Sequence, residues 1–300
     1  MSLPFDLAPG DVISYSAGST QTGPEGFRKL RSRPGLFQAA LARWPDLAQA
    51  LAGRPPLVIN AYPASIGIAG AGISVDTYLS PRVLSRALQL AAAAELPAVL
   101  CGQPLFVADA LLAHLAADRP LPRTMLIMVG GYPLPATLEA MLTERLASRL
   151  DTLHFLQGYG VAEVDAGCMM GRERDGDGQL IYYARPDVDV ELDGEQVLLS
   201  LRDGEGKRVV DRWATGDSGR RSGEGWVLWN PRRCHPVVDA AFASWSADDW
   251  TRRTGYLHRD GETLWLQLRQ GRSPRTPQEL DHWDFGRIHG FSWLDKPVWK

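Results

Sequence analysis

Met125-Leu126-Ile127-Met128-Val129-Gly130-Gly131-Tyr132-Pro133-Leu134 decides how this 300-residue chain folds. Five consecutive apolar residues leave no polar face, so the run reads as a strand covered on both sides. Two glycines end it, where the backbone can turn without a Cβ in the way. Residues 105 to 117 read as a helix before it and residues 135 to 150 as a helix after it, with Pro135 suited to a first turn. The alternation continues outward. Leu57-Val58-Ile59-Asn60 reads as a buried strand, and residues 82 to 95 as a helix rich in Ala and Leu. Leu96-Pro97-Ala98-Val99-Leu100-Cys101 is the next strand, and Leu153-His154-Phe155-Leu156 leads into Gln157-Gly158-Tyr159-Gly160. Strands alternating with helices make an α/β fold, a largely parallel sheet with flanking helices. Ligands of such sheets sit beyond the carboxyl ends of the strands. The glycine turns at 130–131 and 158–160 are both expected there.

The pattern changes after about residue 175. Val188, Val190 and Leu192 alternate with acidic residues, residues 196 to 201 read as a strand, and Trp226-Val227-Leu228-Trp229 as another. Gly-rich turns separate them, so a smaller antiparallel β section is expected. A last hairpin is expected around Arg259-Asp260-Gly261-Glu262, since Asp-Gly favours a tight turn. Trp245, Trp250, Trp265, Trp283, Trp293 and Trp299 crowd the C-terminal tail and read as anchors onto the body. The expected division is therefore 1–175 for the α/β core, 176–233 for the β section and 234–300 for the Trp-rich tail.

Composition narrows the function classes. The chain is 45% hydrophobic and 22% charged, as in globular proteins. Its net charge of -3 gives no global attraction to nucleic acid or to a membrane surface. No apolar run has the length of a membrane span, and the N-terminus lacks a secretory pattern. Cys101, Cys168 and Cys234 are too few and too far apart for a disulfide framework or a zinc knuckle, which points to the reducing cytoplasm. No G-x-S-x-G elbow occurs, which disfavours a serine hydrolase of that type.

One further stretch carries a chemical signal. Ser16-Ala17-Gly18-Ser19-Thr20-Gln21-Thr22-Gly23-Pro24-Glu25-Gly26 is a small-residue, hydroxyl-rich loop. Successive N–H groups of such a turn make an anion-binding nest, and Ser and Thr add hydroxyl donors. Taken alone it is equally a plain turn, with Ser19 and Thr20 capping a following helix.

Four segments in order resemble the adenylate-forming superfamily: acyl- and aryl-CoA ligases, luciferases and peptide-synthetase adenylation domains. Ser16 to Gly26 resembles its phosphate loop. Gly130-Gly131-Tyr132-Pro133-Leu134 resembles G-G-x-P-L, Gly158-Tyr159-Gly160-Val161-Ala162-Glu163 resembles G-Y-G-x-T-E, and Ala214-Thr215-Gly216-Asp217-Ser218-Gly219-Arg220 resembles R-T-G-D-x-G-R. Asp193-Gly194-Glu195 is similar to the family's G-E-L strand start, and Arg232 stands where the family has an arginine after that Asp. The resemblance implies ATP-dependent activation of a small carboxylic acid as an acyl-adenylate, with transfer to coenzyme A, a carrier-protein thiol or an amine. It implies ATP or AMP and Mg2+ as cofactors. Ser16, Gly18, Ser19 and Thr20 would hold phosphate, with Thr20 among the catalytic groups. Gly131, Tyr132 and Gly158 would line the base and acyl site, and Tyr159 would stack on adenine. Glu163 would hold Mg2+, Asp217 would accept both ribose hydroxyls, and Arg232 would set a positive fork near the ribose or acyl phosphate.

The chain also departs from the pattern. Glu25 stands where the family loop has a lysine, Gln21 replaces a glycine, and Ala162 replaces the threonine. Little chain precedes the loop, and no lid-domain motif follows Arg233, so the reading is an adenylation domain cut back at both ends. Lys296 and Lys300 are weak candidates for the lid's lysine. These departures leave open a non-catalytic relative that binds a nucleotide or acyl-adenylate, or a half-enzyme completed by another chain. Plain readings also stand beside the functional ones: Tyr159 as a core aromatic, Glu163 as a helix-start carboxylate, and Asp217 as a turn residue.

Overall fold

The computed structural model describes residues 12–15, 27–30, 35–61, 72–77, 80–131, 133–161, 163–229, 255–260 and 263–268. In chain order these form β1 (Val12–Tyr15), β2 (Phe27–Leu30), α1 (Gly35–Arg43), α2 (Pro45–Ala50), β3 (Leu57–Ala61), β4 (Ile73–Asp76), α3 (Pro81–Ala93) and β5 (Ala98–Gly102). Then come α4 (Pro104–Ala116), β6 (Thr124–Val129), α5 (Ala136–Leu146), β7 (Thr152–Val161), β8 (Asp165–Arg174), β9 (Leu180–Ala184) and β10 (Val188–Asp193). The series ends with β11 (Gln196–Arg202), β12 (Arg208–Ser222), β13 (Gly225–Trp229), β14 (Gly255–Asp260) and β15 (Thr263–Leu268).

Eleven strands form one sheet in the order β10-β11-β12-β13-β9-β8-β7-β6-β5-β3-β4. The run β4-β3-β5-β6-β7 is parallel, as the βαβ alternation predicts. From β7 onward every pairing is antiparallel. Four parallel pairings against six antiparallel ones make the sheet mixed, not largely parallel, and the antiparallel section is the larger. It also starts earlier than expected, at β8. Gly158-Tyr159-Gly160 does not end a strand but lies inside β7, which continues to Val161 and turns back into β8.

The three central strands explain why the sequence reads as unbroken apolar text. Leu57, Ile59, Leu100, Met125, Ile127 and Val129 face α3, α4 and α5 in one core. Val58, Val99, Cys101, Leu126 and Met128 face α1 and α2 in another. A strand covered on both faces needs apolar residues at both parities. Prolines open α2, α3 and α4 at the first turn, where no N–H is needed. Gly72 lies against Pro56, whose carbonyl oxygen leaves no room for a Cβ.

A third core belongs to the antiparallel section. It gathers Val161, Val164, Cys168, Met169, Tyr182, Val188, Val197, Leu199, Leu201 and Trp226, with Tyr159, Val190 and Leu192 against it. The alternation at 188–192 thus points one parity inward, as read. A polar corner ties α1 and α2 to β8 and β9. Trp44 Nε1 donates to Glu173 Oε1 at 2.7 Å, the Tyr183 hydroxyl donates to Glu173 Oε2 at 2.6 Å, and Arg172 pairs with Asp46 at 2.6 Å. The expected hairpin is β14–β15, with Asp260 opposite Thr263. Trp245, Trp250, Trp283, Trp293 and Trp299 lie outside the described residues. Among the described residues no helix is long and apolar enough to cross a membrane.

Candidate functional site

The carboxyl ends of β5 and β6 lie side by side against the middle of β7, with Gly102 opposite Val129 and Val129 opposite Gln157. Beyond β6 the chain turns through Gly130 and Gly131. The Gly130 N–H donates to the Gly102 carbonyl at 3.2 Å, and Gly131 has φ 90°, in the region that favours glycine. The turn is then pinned from the next strand, where the Leu134 N–H donates to Gln157 Oε1 at 2.8 Å. Gln157 is buried, and this bond gives its side-chain oxygen a partner.

Two residues further along β7 stands Tyr159. Its hydroxyl donates to Asp217 Oδ2 on β12 at 2.6 Å. The strands β8, β9 and β13 lie between β7 and β12 in the sheet order. Flat neighbours stand about 4.8 Å apart, so that separation would be roughly 19 Å. The contact therefore requires the antiparallel section to curl, and the third core is the filling of that curl. The Tyr159 ring also meets Tyr182 edge-on, with centroids 5.9 Å apart.

Asp217 is not a bare turn residue. It lies within β12 and is 5% exposed. Gly216 before it has φ 78°, which only a residue without a Cβ adopts easily. The Asp217 N–H donates to Thr215 Oγ1 at 3.0 Å, and Thr215 Oγ1 donates to the Val197 carbonyl of β11 at 3.0 Å. The backbone that carries the carboxylate is thus fixed against β11. Burial first, then the adjacent Asp217 charge and the bond to it, push the Tyr159 phenol well above its ordinary range, so it stays a neutral donor.

The structure thus joins two of the expected site residues directly, Tyr159 and Asp217, and places Gly131 just beyond the end of β6 and Gly158 within β7 beside Tyr159. Glu163, half-buried, stands in the turn between β7 and β8. Ser16, Gly18, Ser19, Thr20, Tyr132 and Arg232 lie outside the described residues, as do Ala162, Lys296 and Lys300. The rest of the Ser16–Gly26 segment, Glu25 included, also lies outside the described residues. Sequence reasoning missed Gln157 and Thr215 as holders of this site. The available signal for Gln157 was a lone amide in an apolar run beside a glycine turn.

No family model matches the chain, and no curated protein matches it. Solved structures do resemble it. An acyl-CoA synthetase (AMP-forming)/AMP-acid ligase II-like protein from Dyadobacter fermentans aligns over 73% of this chain and 59% of its own, at 16% identity and TM-score 0.46. A long-chain-fatty-acid-CoA ligase from Archaeoglobus fulgidus aligns over 73% and 50%, at 14% identity and TM-score 0.48. An amide bond synthetase from Marinactinospora thermotolerans aligns over 77% and 51%, at 17% identity and TM-score 0.45. The chain spans between half and three-fifths of the length of these proteins.

Proposed function

We propose that this protein is an adenylate-forming enzyme that activates a carboxylic acid with ATP and Mg2+. A substrate carboxylate oxygen bonds to the α-phosphorus, the bond from that phosphorus to the bridging oxygen breaks, and pyrophosphate leaves. Coenzyme A, a carrier-protein thiol or an amine is the acceptor class. The observation that supports this most is the Tyr159–Asp217 bond, because it brings together two motifs separated by 58 residues in the chain. An aromatic face beside a buried carboxylate suits an adenosine, the one for the base and the other for ribose hydroxyls.

In this reading the Gly130–Gly131 turn offers backbone groups to the base and walls the acyl pocket with Tyr132 and Gly158. Among the described residues no group of three or more His, Cys, Asp or Glu is arranged to hold a metal. Mg2+ bound with a polyphosphate needs only one or two protein carboxylates, and Glu163 fits that role. Ser16, Gly18, Ser19 and Thr20 would hold phosphate, and Arg232 would neutralise developing charge. Catalysis of this kind needs positioning and charge neutralisation more than acid–base side chains. The described cysteines, Cys101 and Cys168, are buried and unpaired, which suits a cytoplasmic setting.

Pyrophosphate exchange into ATP with a panel of carboxylic acids tests the proposal. Exchange that depends on one class of acid is expected. ATP binding without exchange for any acid would leave a binding protein in place of an enzyme.

A further inference from the structure

The Asp217 carboxylate is covered, at 5% exposure, and the Tyr159 hydroxyl already donates to its Oδ2 at 2.6 Å. In the nucleotide reading this is the carboxylate that must receive ribose hydroxyls. At that exposure the carboxylate is closed to an incoming sugar in the present arrangement, and the tyrosine lies against it. We propose that Tyr159 is a latch on the site: its hydroxyl stands in for a ribose hydroxyl, and a nucleoside enters by replacing it on Asp217. The inference rests on the nucleotide reading above and adds to it the exchange of one donor for another.

Three features make the tyrosine the partner that moves. Asp217 is anchored from behind, through its own N–H to Thr215 Oγ1 and from there to the Val197 carbonyl. Tyr159 lies between two glycines near the end of β7, where the pairing with β8 shifts register between Tyr159 and Val161, so its backbone is less regularly held than the rest of the strand. The donors are also of one kind. A phenol O–H and a ribose O–H both make charge-assisted bonds to a carboxylate. A ribose brings two hydroxyls where tyrosine brings one, and the released ring can then take the base. A base without its sugar has nothing to offer Asp217 and gains nothing from opening the latch.

Calorimetric titration of AMP, adenosine and adenine into the wild type and Tyr159→Phe tests this. Removing the competing hydroxyl should tighten AMP and adenosine about tenfold, the size of one modest hydrogen bond, and leave adenine no tighter. A wild type that binds too weakly to measure beside a Phe variant that binds AMP supports the latch equally. AMP binding in the Phe variant that is equal or weaker overturns the latch and leaves the nucleotide reading standing. No AMP binding to either protein overturns both. If Tyr159→Phe does not fold, proton NMR of the wild type decides. The downfield hydroxyl resonance of a tyrosine bonded to carboxylate should vanish on AMP saturation, and its persistence contradicts the latch.

Discussion

The Leu134 backbone N–H donates to the Gln157 side-chain oxygen at 2.8 Å, tying the turn after β6 to the strand that carries Tyr159. Gln157→Leu fills similar space but offers no acceptor, and leaves the Leu134 N–H without that partner. A loss of about 1–3 kcal/mol in unfolding free energy is expected. Nucleotide affinity should fall with it, because the turn that would meet the base is no longer pinned. Gln157→Glu keeps an acceptor and should recover most of both. Denaturant unfolding and AMP titration read the two effects, and equal losses in the Leu and Glu variants would argue against the bond.

Glu163→Gln removes a carboxylate from the turn between β7 and β8 without changing its size. Affinity for ATP in the presence of Mg2+ should drop about tenfold, a loss of about 1.4 kcal/mol, while affinity without Mg2+ stays the same. A variant that keeps the full Mg2+ effect takes Glu163 out of the metal role.

Two histidines make stability sensitive to acid. His114 is 1% exposed, takes the Ser85 hydroxyl at Nδ1 at 2.8 Å and donates from Nε2 to the Pro120 carbonyl at 3.0 Å. Burial, then the charges of Arg119 and Arg149, hold its pKa below the ordinary 6.5. His154 is lowered in the same way, by burial and then by Arg172, whose guanidinium donates to its Nδ1. Above pH 6.5 these groups are neutral whether folded or unfolded, so they add no slope. Below it the unfolded chain takes up protons that the folded protein refuses, and stability falls as pH drops towards the folded values. Unfolding free energy measured across that range should decline, and His114→Gln should flatten part of the decline.

Arg185 is the buried charge on which the β8–β9 region depends. It is 2% exposed, reaches Asp165 at 2.9 Å and Asp187 at 2.6 Å, and donates to the Gly167 carbonyl at 2.8 Å. Arg185→Ala leaves a buried carboxylate unpaired and should cost about 3–5 kcal/mol. Replacing Arg185 and Asp165 together by apolar residues should cost less than the single change, as chemical denaturation can show.

The strands β3, β5 and β6 were legible because strands covered on both faces are almost wholly apolar, and their bounds and those of α3 and α4 follow the sequence closely, whereas α1, α2 and the exposed edge strand β4 were not read. The strand β12 was not. Arg208, Asp211, Arg212, Arg220 and Arg221 give it the look of a loop, and it is a strand because β11 and β13 flank it. β8 hid for a related reason: Gly167, Cys168, Met169, Met170 and Gly171 show no alternation, since Met169 and Met170 enter different cores. Of the site, the Gly130–Gly131 turn could be read locally, whereas Gly158-Tyr159-Gly160 continues a strand that its glycines made look finished. The meeting of Tyr159 with Asp217 could be anticipated only through motif resemblance, because no local pattern reports a contact made by the curling of a sheet.

The central claim, that Asp217 is the anchor of a nucleotide site, is tested most directly by titrating AMP into the wild type and Asp217→Ala side by side, with circular dichroism to confirm that both are folded. The account predicts a single saturable site in the wild type and at least a tenfold loss in the folded variant. Equal affinity in the two proteins, or no binding to the wild type and to Tyr159→Phe alike, would contradict it.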